Sequence, residues 1–110
     1  MKWYHYIACL FAGAFLANSV PHFIHGVSGN PFPSPFSDPP GIGLSPPMVN
    51  VAWAFFNMVV GYLLFRAGKI EKSNKIGITV FLVGALAMSL MIGNHFVNKQ
   101  EIPTHSSAEF

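Results

Sequence analysis

Three long stretches without a single Asp, Glu, Lys or Arg, residues 3–37, 39–65 and 76–98, constrain this chain more than any motif it contains. Each holds an apolar run of about 20 residues, and at ~1.5 Å of rise per residue such a run crosses a hydrocarbon core of ~30 Å as a helix. A soluble domain of 110 residues would need a charged surface, yet only ten residues here carry a charge. The distribution predicts an all-α membrane protein, one domain, with transmembrane helices over about 3–25, 47–66 and 75–97.

The first run opens on Trp3, Tyr4 and Tyr6, amphipathic rings that favour the headgroup level. Pro21 has no N–H for the carbonyl four residues back, which predicts a kink or a stop between Ala17 and Pro21. A cleaved signal peptide is the rival reading, with Lys2 as a short basic start and Ala12-Gly13-Ala14 as a small-residue site. Against it, the apolar character continues through Phe15, Leu16, Val20, Phe23 and Ile24.

Residues 26–47 contain seven prolines and four glycines, with Phe32 and Phe36 interleaved. Proline cannot donate to a helix or a sheet ladder, so this is a loop over 26–46, turning at Asn30-Pro31 and Asp38-Pro39-Pro40-Gly41. Two readings stand side by side: a lid held over the helix ends by its phenylalanines, and a stiff polyproline-like connector. The second helix opens at Ser45-Pro46-Pro47, where Ser45 is placed to cap. A short loop over 67–74 leads to the third helix, which begins near Asn74, and residues 98–110 form a polar tail.

Cationic loops stay on the cytoplasmic side. Placing the amino end and the 67–74 loop inside puts Lys2, Arg66, Lys69, Lys72 and Lys75 there and leaves only Lys99 outside. The expected orientation is therefore N-terminus cytoplasmic, proline loop and C-terminus external. The cations form no basic face along a folded surface, so nucleic acid is not an expected partner.

Within the spans, small residues recur four apart at Cys9, Gly13 and Ala17 and at Ala85, Ser89 and Gly93, the spacing of close helix approach in lipid. Polar side chains in lipid should turn inward. Asn18, His22 and His25 share a face of the first helix, Asn50, Trp53, Asn57 and Gly61 a face of the second, and the third ends with Asn94 and His95. In this topology they meet at one membrane surface. That convergence makes His22, His25 and His95, with Asp38 or Asn50, a candidate metal or haem-ligand site, since neutral imidazole is the commonest metal ligand. Structural hydrogen bonding is the competing reading of the same residues. Asn57, near mid-span, needs an interhelical partner, Asn18 or Ser89.

No nucleophile elbow, phosphate-binding glycine loop, paired carboxylates or cysteine–histidine set is present, and Cys9 is the single cysteine. The runs Asn18-Ser19-Val20-Pro21-His22-Phe23, Gly29 to Phe36 and Pro46 to Trp53 resemble small uncharacterised bacterial integral membrane proteins. That resemblance implies a bacterial inner-membrane setting and carries no chemistry. The expectation is a non-enzymatic accessory or interaction subunit, associating with itself or a larger membrane complex. Alternatives are the histidine-based metal or haem protein and a subunit of an oligomeric transporter lined by the Asn18 and Asn57 faces.

Overall fold

The computed structural model describes residues 2–99. Three helices, α1 (Trp3–Val27), α2 (Pro47–Ala67) and α3 (Lys75–His95), make up most of them, and a 3-10 turn over Phe96–Asn98 continues the third. Each is long and apolar enough to cross a membrane. The polar tail expected beyond residue 99 lies outside the described residues.

Burial runs opposite to that of a water-soluble domain. Cys9, Ala12, Ala54 and Asn50 have no exposed surface, and Asn57 and His22 have almost none. Phe11, Val20, Phe55, Val59, Leu63, Leu82, Leu86 and Leu90 are exposed. In hydrocarbon, large apolar side chains lose nothing by facing outward, whereas polar groups must find partners within the protein. The inward turn of the polar faces of α1 and α2 follows from that, whereas on α3 Ser89, Asn94 and His95 are exposed, contrary to the expectation for Asn94 and His95.

The helices do not close into a symmetric bundle. α1 packs against both neighbours, while among the described residues α2 and α3 make no Cα approach within 8 Å. These two meet through the edge-to-face pair Phe65 and Phe81, 5.6 Å between centroids. Close backbone approach sets the α1–α3 crossing. A Cβ on Gly13 would collide with the Phe81 carbonyl and lie 2.8 Å from the Ala85 nitrogen, and one on Gly84 would collide with the Leu10 carbonyl. Towards the proline loop the two helices diverge, and a Cβ on Gly93 would meet nothing within 4 Å. The small-residue seam expected along Ala85, Ser89 and Gly93 is thus corrected: the buried residues of α3 are Gly77 and Gly84, and Ser89 and Gly93 are exposed. Spacing by four identifies a face, but the crossing point selects which small residue is needed.

Two local expectations change as well. Of the kink or stop expected before Pro21, the stop does not occur: α1 continues as helix through Pro21 to Val27, where lateral packing on α2 and α3 holds it despite one missing hydrogen bond. Ser45 does not cap α2, whose N-cap is Pro46 without a side-chain bond. The Ser45 hydroxyl instead lies 2.6 Å from that of Ser34. Asn74 does cap α3, its Oδ1 accepting from the Gly77 amide at 2.9 Å.

Candidate functional site

The proline loop is an ordered cap over one end of the three helices. Phe32 and Ser45 pair as an isolated antiparallel bridge, exchanging N–H···O bonds of 3.2 and 3.0 Å. Inside the closed segment, Ser37 Oγ donates to the Ser34 carbonyl at 2.7 Å and accepts from the Gly41 amide at 3.2 Å. The Gly41 amide also reaches the Ser34 carbonyl at 2.8 Å. Gly41 takes φ +73° in the predicted 38–41 turn, a conformation open to glycine at little cost. A chain with so few donors therefore satisfies itself through serine hydroxyls. Of the two readings of this segment the lid fits, with Phe32 buried beneath it, while Phe36 is exposed and the closure rests on serine hydroxyls.

Asn50 joins the lid to the helices. Its Nδ2 donates to the Phe32 carbonyl at 2.9 Å and the Ser45 carbonyl at 3.2 Å, with the Pro46 carbonyl at 3.3 Å. Its Oδ1 lies 2.7 Å from His22 Nδ1. Carbonyls only accept, so the amide nitrogen must face them and the amide oxygen must face His22. That oxygen also only accepts, so His22 carries a hydrogen on Nδ1 and donates it. One side chain on α2 thereby ties α1, the loop and its own helix start together.

Aromatic rings fill the space around this hub. Phe32 is buried and stacks on His25 at 4.2 Å, with Phe96 from the end of α3 at 4.7 Å. His22 is boxed by the edges of Phe32, Trp53 and Phe96 at 5.5 to 6.4 Å. Phe36 is exposed and meets Trp53 edge-on at 5.3 Å. A recess of about 320 Å³ remains under the loop between Asn18, His22, Ser34, Trp53, Gly41 and Phe96.

The three candidate histidines come to this end of the molecule but take separate partners. His22 faces Asn50, His25 lies flat on Phe32, and His95 Nε2 donates to the Gly41 carbonyl at 2.9 Å. Among the described residues no group of three or more His, Cys, Asp or Glu side chains is placed to hold a metal ion. Asn50 does join His22, as one of the two proposed auxiliary residues, while Asp38 is exposed in the loop turn. The residues that sequence reasoning missed are Ser34, Ser37 and Phe96. Nothing in their spacing marks them, because each acts through a contact distant in sequence or through the loop's own closure.

Deeper in the span, Asn18 Nδ2 donates to Asn57 Oδ1 at 3.1 Å, and Asn57 Nδ2 donates to the Trp53 carbonyl at 2.8 Å. The partner of Asn57 is Asn18. Ser89 is exposed and donates to the Ala85 carbonyl of its own helix. A double-mutant cycle with Asn18→Ala and Asn57→Ala, read by unfolding in mixed micelles, is expected to give a coupling of about 0.6 kcal/mol. Strict additivity of the two substitutions would show that the bond contributes nothing to stability.

Comparison with protein families, with curated proteins and with solved structures finds no match for this chain.

Proposed function

We propose that this chain is a non-enzymatic, multi-pass protein of the bacterial inner membrane that works as an accessory or interaction subunit, through association with itself or a larger membrane complex. The observation that carries the reading is the face of α3 that leaves the small and polar residues Ser89, Gly93 and Asn94 uncovered, a face on which a second helix can pack. Only Gly77 and Gly84 of that helix are buried, and its contact within the chain is chiefly with α1. Asn50, His22, Ser34 and Ser37 at the capped end support the same reading, since their polar groups are engaged in holding the lid, while His25 Nδ1 and Trp53 Nε1 are buried without a hydrogen-bond partner. The N-terminus lies in the cytoplasm with the five cations Lys2, Arg66, Lys69, Lys72 and Lys75, and the proline loop and C-terminus lie outside. The mature protein retains α1, the helix on which both others pack.

Extraction of the natively expressed protein into lipid nanodiscs, followed by mass measurement, is expected to give assemblies heavier than the 12.0 kDa chain. Cleavage or reporter fusions at the 68–74 turn and within the proline loop should report opposite faces. Metal analysis on the same untagged preparation should give well under one equivalent. A monodisperse single chain, or stoichiometric metal lost on His22→Ala, would overturn the accessory reading.

A further inference from the structure

At the end opposite the lid, where Gly68 packs against Cys9 and the start of α1, α2 and α3 leave a groove between them. It measures about 330 Å³ and is lined by Phe65, Ile70, Ile78, Phe81 and Leu82, with Glu71 and Lys72 contributing charge. A smaller recess of about 210 Å³ shares Phe65, Ile70 and Glu71 and adds Arg66 and Lys69. The groove exists because α2 and α3 each pack on α1 and their Cα atoms stay more than 8 Å apart among the described residues, the rings of Phe65 and Phe81 meeting between them.

The electrostatics of this end are one-sided. Arg66, Lys69, Lys72 and Lys75 are all exposed, and Glu71 is the one acid between them. Arg66 is oriented by its own helix: its guanidinium donates to the Tyr62 hydroxyl at 2.9 Å and lies 5.9 Å from that ring's centre. An apolar slot between spans, with uncompensated cations where the helices leave the hydrocarbon, is complementary to a molecule with an acyl chain and an anionic head. Cations alone would attract a charged surface without stoichiometry, and a slot alone would take any lipid tail.

We propose that this groove binds one anionic phospholipid, its phosphate on Arg66, Lys69 and Lys72 and an acyl chain between α2 and α3 against Phe81 and Leu82. The site rests on embedding in a membrane and is independent of which face the turn occupies and of any protein partner. Glu71 weakens the site, since its carboxylate lies beside the phosphate position.

The test is native mass spectrometry of the full chain in detergent, titrated with phosphatidylglycerol or phosphatidylcholine of identical chains. One phosphatidylglycerol should be retained at least about tenfold more tightly than phosphatidylcholine. R66Q/K69Q/K72Q should abolish that preference, E71Q should increase it, L82W should reduce retention of both lipids, and K99Q, at the other end, should change nothing. Added glycerol phosphate should not displace the lipid. Equal retention of the two lipids overturns the proposal, as does a preference that survives the triple substitution. Displacement by glycerol phosphate would make the site one for a free anion, and a lipid-independent dimer lost in L82W would make the groove a contact between copies. The triple variant alters exposed side chains, and circular dichroism reads its fold; if it does not fold, the opposite shifts expected of E71Q and L82W decide. Because bound lipid is weighed on the single chain, the result is independent of whether the accessory reading holds.

Discussion

Asn50→Leu is expected to lower the unfolding free energy in mixed micelles by about 3 kcal/mol and to open the proline loop to protease. Leucine keeps asparagine's branching but is larger, so the loss combines the missing hydrogen bonds with crowding in a site that has no exposed surface. The Phe32 and Ser45 carbonyls keep the bridge bonds from each other's amides but lose their second donor. The buried His22 loses the acceptor of its Nδ1 hydrogen. A buried polar group left without a partner costs about 1–3 kcal/mol, and the lost bonds add to it. Asn50→Asp separates the effect of shape from that of donors: it preserves outline and acceptor but turns a carboxylate oxygen towards carbonyls, and it should destabilise at least as much as leucine. If Asn50→Leu shifts stability by less than about 1 kcal/mol and leaves the loop resistant to protease, the lid is held by its aromatic contacts and the hub assignment is wrong.

Gly84→Leu and Gly13→Leu are expected to separate α3 from α1, with a loss of about 3 kcal/mol for either. At both positions the first obstacle is main chain: the Phe81 carbonyl opposes Gly13, and the Leu10 carbonyl with its carbon opposes Gly84. A side-chain end can rotate away, whereas a helix carbonyl moves only with its helix. Gly93→Ala provides the contrast on the same helix, since nothing lies within 4 Å of the new methyl. It should be neutral or stabilising by up to about 1 kcal/mol, the ordinary helix preference for alanine. Cysteine crosslinking between the α1 and α3 faces would report the separation directly. Equal tolerance of leucine at positions 84 and 93 would refute the assigned crossing.

The same distinction runs through the candidate site. The inward polar face of α1 was legible because Asn18 and His22 are four apart and flanked by apolar residues, and lipid leaves such groups one direction in which to turn. The interhelical partner of Asn57 was legible to within two choices. That His22 would bind Asn50 while His25 stacked on Phe32 was not legible, because both depend on where the loop returns. Nor did Ser45 announce its bond to Ser34: beside two prolines it has every local mark of a helix cap.

What the sequence determined by itself is the set of properties that sum along the chain. Mean apolarity over a window of about 20 residues delimits a span, so the three helices and the loop fell within a few residues of where charge and proline placed them. The tertiary structure alone decided which helix is central, where α1 and α3 cross, and how the loop closes. Those outcomes depend on the distance between atoms far apart in sequence, such as a Gly84 hydrogen against the Leu10 carbonyl or the Asn50 amide against Phe32. In lipid, where apolar area no longer discriminates between arrangements, it is such short contacts that select one.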